Sequence, residues 1–342
     1  SVLVVGSNLR KDHPLFAQRI RQAARHGCQV IALDSVERDW AIPVKHLLKH
    51  AASQWVQALG GIAAAVAQEK GVAGPAGSFV IDDAATAVAR SLMAGERKAV
   101  LLGNAAAHHA QATQLLALAN WIGEHTGATV GYLTEAANTV GAQFVGAHPV
   151  KGGLNAAQML SGGLKAVLLL NNEPVHDSSA GARATDALSG AEMVVTLSPF
   201  KANMEFSDVL LPIAPFTETS GSFINAEGRL QSFHAVVRPL GDTRPAWKVL
   251  RVLANMLEIP GFDFETSQDV LARATNAAPG AFSQIDAAQL SNAVTGGVTA
   301  SVSGAVGEPV VASIYQLDGL VRRSPSLQLT ADARMAREEV AA

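Results

Sequence analysis

Residues 1–34 read SVLVVGSNLRKDHPLFAQRIRQAARHGCQVIALD, and they decide the fold class. The apolar run at 2–5 comes first, Pro14 suits the first position of a helix, and Gly27 ends that helix before the apolar run at 30–33. Apolar strands without alternation are typical of a parallel sheet that is buried on both faces. This stretch therefore predicts a β–α–β unit with parallel strands.

The same pattern recurs along the chain. Short apolar runs, each followed by a small or polar turn and a helix-period segment, lie at residues 100–104, 167–174, 193–199 and 209–212. Strands that alternate with helices favour a doubly wound α/β fold. We therefore predict an α/β protein with doubly wound, mostly parallel sheets in two Rossmann-like subdomains. The predicted boundaries are 1–70 for the first subdomain, 71–260 for the larger second one, and 261–342 for an irregular C-terminal extension.

Composition narrows the possible partners and cofactors. The net charge of −3 gives no reason to expect nucleic acid as a partner. No apolar run approaches the ~20 residues of a spanning helix, so no direct membrane insertion is expected. Cys28 is the single cysteine, whereas an iron–sulfur cluster normally takes about four thiolates. We therefore expect no cluster and no metal in this chain. Because the sequence begins inside a strand, we interpret it as a piece of a longer polypeptide.

The turns after the first two strands are candidate ligand sites. Gly6, Ser7 and Asn8 follow the first strand, and Asp34 ends the second, where nucleotide-binding folds place a ribose-binding carboxylate. The G-x-G-x-x-G fingerprint is absent, because Gly6 has no partner glycines before the helix. NAD binding is therefore disfavoured. A turn that only connects strand to helix is preferred, and a different nucleotide-like ligand is the alternative.

The sequence NNEP at 171–174 forms a similar turn after a later strand. The side chains of Asn172 and Glu173 could hydrogen-bond a ligand or simply cap the turn, and capping is the preferred interpretation.

A third candidate lies in FSDVLLPIAPFTETSGSFINAEGRLQ at 206–231, where polar residues follow an apolar strand that ends at a proline. Glu218, Asn225 and Arg229 stand out in this stretch. Arg229 could bind a phosphate or pair with Glu227 or Glu218 inside the protein, and the internal ion pair is preferred. No Ser–His–Asp set or GxSxG motif is present, so no catalytic residue is assigned.

Three of these segments resemble the molybdopterin oxidoreductase family. Residues 1–34 are similar to its strand, G-x-N, His-Pro and helix segment, NNEP resembles its G-x-[ND]-P turn, and SDVLLP…EGR resembles its late Asp-Val-Leu-Pro block. Within that family, the large iron–sulfur subunit of respiratory complex I, the bacterial NADH–quinone oxidoreductase, is the nearest likeness. The segments that carry it are AEGRLQ at 226–231, GDTRPAWKVLRVLANML at 241–257 and IYQLDGLVRRSPSLQLT at 314–330.

This resemblance implies a fold of the type found in domains II and III of formate dehydrogenase. It implies a parent complex that passes electrons from NADH to quinone and translocates protons, with 2Fe-2S and 4Fe-4S clusters outside this chain. It also implies other subunits of the peripheral arm as partners, on the cytoplasmic face of the bacterial inner membrane. The residues that would line a vestigial pterin cleft are Gly6, Ser7, Asn8, Asp34, Asn172, Glu173, Glu218, Asn225 and Arg229.

Two departures from active relatives shape the functional expectation. The turn after Asp34 reads SVERDWAIP where active relatives usually show Pro-Arg, and NAEGR replaces a more varied polar string. We therefore expect a non-catalytic scaffold that holds no cofactor and no molybdopterin. The alternatives are a fragment of an active molybdenum or tungsten oxidoreductase of the formate dehydrogenase kind, and a stand-alone nucleotide-binding module.

Overall fold

The computed structural model describes residues 1–276, 291–293 and 313–334. The strands are β1 (Val2–Val5), β2 (Val30–Asp34), β3 (Val44–Lys49), β4 (Ala99–Leu102), β5 (Thr129–Tyr132), β6 (Ala166–Leu170), β7 (Met193–Ser198), β8 (Val209–Pro212), β9 (Gly221–Ile224) and β10 (Leu230–Phe233). The helices are α1 (Leu9–Asp12), α2 (Pro14–Arg25), α3 (Trp55–Lys70), α4 (Asp83–Ala94), α5 (Asn104–Ala107), α6 (Ala112–Thr126), α7 (Thr139–Phe144), α8 (Ala156–Met159), α9 (Pro174–Asp177), α10 (Arg183–Ser189), α11 (Ala246–Met256), α12 (Ser267–Thr275), α13 (Ile314–Leu317) and α14 (Pro325–Gln328).

The described residues form two compact units. The first contains residues 1–136, 291–293, 313–315 and 326–334, and the second contains 137–276 and 316–325. The first unit is built on a parallel five-stranded sheet in the order β3-β2-β1-β4-β5. The second unit has a parallel three-stranded sheet in the order β6-β7-β8 and an antiparallel hairpin of β9 and β10.

Both faces of the first sheet are buried. Leu3 and Val5 of β1 pack into a core with α3, α4 and α6, in which Trp55 is fully buried. Val2 and Val4 point to the other face and pack with Leu9 of α1 and with α2. This double covering explains the continuous apolar strands β1 and β2, because neither side of these two central strands faces water. The predicted α/β class with parallel, doubly wound sheets is confirmed.

The predicted boundaries differ from these units. The predicted boundary after residue 70 lies at the end of α3, but the first unit continues beyond it. β1 pairs with β2 on one side and with β4 on the other, so one sheet contains strands from both sides of residue 70. The helices α3 and α4 also pack in one core. The extension predicted as irregular contains the nine-residue helix α12, which starts with a capping box between Thr266 and Asp269. The remainder of that prediction, at residues 277–290, 294–312 and 335–342, lies outside the described residues.

Candidate functional site

The strand order of the first sheet reverses between β1 and β4. From β1 the chain moves outward through β2 to β3, and from β4 it moves in the other direction to β5. In open α/β sheets, ligands bind beyond the carboxyl ends of the strands at such a switch point. The segments that leave these two strands are Gly6-Ser7-Asn8 and Gly103-Asn104. We call the residues that follow β1 and β4 the first edge.

The two loops of the first edge touch each other closely. Gly6 adopts a left-handed backbone conformation with φ of 59°, and its carbonyl accepts a 3.0 Å hydrogen bond from the Ala105 amide. A Cβ atom on Gly103 would stand 2.3 Å from the Cβ of Ser7 and 2.6 Å from the Gly6 oxygen. Only glycine fits at position 103, because any side chain there would collide with the Gly6–Ser7 backbone.

Two polar side chains of the first edge are buried without partners. Ser7 is 2% exposed and Asn104 is 6% exposed. Within the part of the chain that the structure describes, the Ser7 Oγ and the Asn104 Oδ1 have no hydrogen-bond partner. A buried polar atom without a partner is destabilising, so native proteins normally satisfy such atoms with water or a ligand. These two atoms indicate that the first edge receives a polar partner from outside the chain.

Asp34 lies at the end of β2 and is fully buried. Its carboxylate accepts a 2.8 Å hydrogen bond from the Arg38 Nε and another of 2.8 Å from the Ser35 amide. The side chain predicted to bind a ribose is therefore held by an internal ion pair. Asn8, the remaining predicted residue here, immediately precedes α1, and its carbonyl accepts hydrogen bonds from the amides of Lys11 and Asp12.

Titratable side chains surround these loops. Burial raises the pKa of Asp12 above its ordinary value, and its Oδ2 atom has no partner among the described residues. The His108 Nε2 lies 2.7 Å from the Glu135 Oε2. That hydrogen bond raises the pKa of His108 and lowers the pKa of Glu135. His109 differs, because it is buried against the Trp55 ring and bonds to the Ala52 carbonyl.

The second unit places Asn172 and Glu173 after β6. The Asn172 carbonyl accepts a 2.9 Å hydrogen bond from the Asn203 Nδ2. The Glu173 carboxylate lies 2.8 Å from guanidinium nitrogens of both Arg322 and Arg323. Burial acts to raise the pKa of Glu173, but the two arginines outweigh it and the pKa lies below its ordinary value. We call the turns after β6 and β7 the second edge.

The remaining predicted residues lie in or before the β9–β10 hairpin. The Glu218 carboxylate accepts a 2.9 Å hydrogen bond from the Leu240 amide. The Asn225 Oδ1 accepts from the amides of Glu227 and Arg229, so it closes the hairpin turn. The predicted internal pairing of Arg229 is wrong: its side chain is exposed, and no acidic group of the described residues lies within ion-pair distance.

Asn104 and Asp12 were missed by the sequence prediction. A signal for Asn104 was present, because Gly103-Asn104 follows the buried strand β4 just as Gly6-Ser7-Asn8 follows β1. Asp12 gave no such signal, since an acidic residue near the start of a helix is normally solvated. Across the described ranges, no three metal-binding side chains converge and no helix has the length and apolarity to cross a membrane.

Comparisons with known proteins agree with this architecture. A profile of the molybdopterin oxidoreductase family matches residues 1–256. The chain is similar to a solved structure, the acetylene hydratase from Pelobacter acetylenicus, with a TM-score of 0.59 and 13% identity over 82% of this chain and 50% of that one. At this identity the likeness shows the fold alone.

Curated relatives match over short segments. The chain is 37% identical over 75 residues to YjgC of Bacillus subtilis (strain 168), named as a probable oxidoreductase, which is 22% of this chain and 8% of that protein. It is 42% identical over 59 residues to a formate dehydrogenase-like protein of Staphylococcus aureus (strain bovine RF122 / ET3-1), which is 17% of this chain and 6% of that protein. The aligned segments thus span less than a tenth of either relative.

These matches correct the expected absence of molybdopterin. That expectation rested on departures in two turns, at residues 35–43 and 225–229, whereas the profile match runs through both turns and most of the chain. It is therefore wrong, because the family whose profile matches most of the chain is the molybdopterin oxidoreductase family, which points to a molybdopterin cofactor rather than away from one. The chain belongs to the molybdopterin oxidoreductase family.

Proposed function

We propose that this chain is the α/β part of a molybdenum or tungsten oxidoreductase of the formate dehydrogenase kind, and that its first edge contacts the pterin cofactor. The observation that carries the proposal is the pair of buried, unpartnered atoms, the Ser7 Oγ and the Asn104 Oδ1 in the described structure. They lie on the two loops that leave β1 and β4, at the switch point of the first sheet. The similarity to a formate dehydrogenase-like protein supports the reaction class.

The first edge fits a pterin cofactor in its chemistry. Molybdopterin carries N–H groups on its pterin ring, which can donate to an amide oxygen, and oxygen atoms on its phosphate, which can accept from a hydroxyl. The Asn104 Oδ1 can accept from an N–H group, and the Ser7 Oγ can donate or accept. Because Gly6 and Gly103 have no side chains, the backbone of the loop after β1 can lie directly against the backbone of the loop after β4. In the proposal, one ligand pairs with both atoms.

In this proposal the residues of this chain bind the cofactor and hold it in position. When it is bound, the cofactor supplies the two-electron redox chemistry at its metal. Ser7 and Asn104 hold the ligand through the two loops, which the parallel sheet fixes rigidly below them. The ion pair with Arg38 neutralises the Asp34 carboxylate in the adjacent turn. Burial of the Ser7 and Asn104 side chains excludes water from the hydrogen bonds, which strengthens them.

The proposal is tested on the full-length protein that contains this chain. Molybdenum and tungsten are measured by mass spectrometry, and released pterin is measured by its fluorescence after oxidation. We expect one of the two metals and pterin in near-stoichiometric amounts. A full-length protein that carries neither metal and no pterin would contradict the proposal.

A second candidate is a subunit of respiratory complex I. It is supported by the segments at 226–231, 241–257 and 314–330, which resemble the large iron–sulfur subunit, and the last of these contains Arg322 and Arg323, which bind Glu173. In this candidate the parent protein carries 2Fe-2S and 4Fe-4S clusters and lies in the peripheral arm at the cytoplasmic face of the inner membrane. Co-purification of the full-length protein with NADH–quinone reductase activity would favour it. Purification of the full-length protein as a separate formate-oxidising enzyme would contradict the complex I candidate.

A further inference from the structure

The segment at 316–325, in the second unit, contacts the turns that follow β6 and β7. Arg322 and Arg323 reach Glu173, which immediately precedes α9, and Arg322 also reaches Asp177, the last residue of α9. Arg323 also covers the ring of Phe200, which follows β7. A single short segment therefore spans the second edge, although more than 100 residues of sequence separate it from β7.

Four charged side chains form one network at this contact. Arg323 holds the Glu173 carboxylate with two nitrogens, each 2.8 Å from an oxygen, which is the bidentate geometry. Arg322 lies 2.8 Å from Glu173 and 3.0 Å from Asp177. The Arg322 and Glu173 side chains are only 11% and 12% exposed. Two positive and two negative charges balance, so the network is neutral, and its burial limits screening by salt.

Packing and backbone contacts hold the same segment. The Arg323 guanidinium lies 4.2 Å from the centre of the Phe200 ring. The Arg322 Nη1 donates to the carbonyls of Gln316 and Leu317, at 2.8 and 3.0 Å, and this curls the segment onto itself. A Cβ added at Gly319 would stand 3.4 Å from the Phe200 ring, which is an ordinary contact distance. Ring, backbone and charged contacts therefore hold the same segment.

We propose that residues 316–325 form a strap that closes the second edge, with Glu173 as its anchor. In this role Glu173 contacts no ligand, because two arginines of the same chain already occupy its carboxylate. A ligand that binds at Glu173 or at the Phe200 ring has to displace the strap first. The inference goes beyond the proposed function and stands independently of it, since it uses only contacts of the second unit.

The strap is tested by trypsin, which cleaves after arginine only when that side chain is free to enter the protease. The double variant Glu173→Gln, Asp177→Asn keeps both arginines and removes their partners. In the full-length protein, we expect cleavage after Arg322 or Arg323 to become at least about tenfold faster than in the unaltered protein. Equal cleavage rates in the two proteins would overturn the strap.

Hydrogen exchange shows whether the strap covers the edge. Peptides covering 171–177 and 198–201 are expected to exchange faster in the double variant, together with 316–325. Faster exchange confined to 316–325 would overturn the closing role. The matched control is Glu69→Gln, which frees the exposed Arg90 in the first unit and should leave cleavage after Arg322 and Arg323 unchanged. If circular dichroism shows that the double variant is unfolded, the single variant Asp177→Asn replaces it. The cleavage rate after Arg322 or Arg323 and the exchange of residues 171–177 and 198–201 are then compared with the unaltered protein in the same way.

Discussion

The two edges of this protein differ in how they satisfy their polar groups. At the first edge, the Ser7 Oγ and the Asn104 Oδ1 are buried without partners in the described structure. At the second edge, Glu173 pairs with Arg322 and Arg323, and Asp177 pairs with Arg322, whose Nε has no partner among the described residues. Both edges lie at the carboxyl ends of parallel strands, which is the position that general rules assign to ligands. Position in the fold therefore does not identify a ligand site by itself, and the two edges differ in whether their side-chain oxygen atoms already have partners in the chain.

The largest expected effect is on the stability of the second edge. Arg322→Met should lower the free energy of unfolding of the second unit by about 2–3 kcal/mol, because the partly buried Glu173 keeps only one arginine partner and Asp177 keeps none. Hydrogen exchange of residues 166–198, measured at increasing urea concentrations, reports this loss of stability. Arg90→Met, which breaks an exposed pair with Glu69, should cost no more than about 0.5 kcal/mol. Equal losses in the two variants would show that the second edge is not held by its arginines.

The next effect concerns the close contact of the first edge. Gly103→Ala should destabilise the first unit by about 2 kcal/mol, because the new methyl group would collide with Ser7 and Gly6. Thermal unfolding measures the change. Gly131→Ala in β5 is the matched control, since a Cβ there meets nothing within 4 Å, and it should change the melting temperature little. A Gly103→Ala protein as stable as the control would mean that the two loops separate easily.

The smallest effect is a gain in stability. The pKa of Asp12 is raised above its ordinary value of 3.8 because burial disfavours its charged form. As the pH rises, Asp12 therefore loses its proton in the unfolded chain before it does so in the folded protein. The resulting loss of folding stability is absent below pH 3.8 and reaches its full size above the pKa of Asp12 in the folded protein. Asp12→Asn removes the cost and should stabilise the protein at pH 7 by at most about 1 kcal/mol, since the side chain is partly solvated.

Melting temperatures of both proteins from about pH 3 to about pH 8 check the Asp12 prediction. The difference between Asp12→Asn and the unaltered protein should grow as the pH rises and disappear at the acidic end. A variant that is less stable than the unaltered protein at pH 7 would show instead that the Asp12 carboxylate is ionised and stabilised by Arg38.

Strong local signals made most of the first unit predictable. The apolar runs at β1, β2 and β4 have no alternation, and Pro14 and Gly27 mark the ends of α2 and its turn. The helix α12 was also within reach, because Thr266 and Asp269 have capping-box spacing. The hairpin of β9 and β10 was missed, since Gly221 and Ser222 are poor strand formers and pairing with β10 decides the structure.

The chemistry of the two edges was less predictable than the fold. Glu173 and Arg323 are 150 residues apart, and no local pattern reports a contact over that distance. The Ser7 and Asn104 loops meet because β1 and β4 are neighbours in the sheet, although β2 and β3 come between them in sequence. Sequence reasoning placed Gly6, Ser7 and Asn8 at a carboxyl end but could not show which polar atoms lack partners.

The metal and pterin content of full-length variants tests the difference between the edges most directly. The double variant Ser7→Ala, Asn104→Ala should lose at least about tenfold in molybdenum or tungsten and in pterin per folded protein, because each lost ligand hydrogen bond is worth about 1 kcal/mol. Asn255→Ala, on an exposed position of α11, should keep the content of the unaltered protein. Equal metal and pterin content in the double variant and in Asn255→Ala would contradict the assignment of the first edge as the cofactor-contacting edge.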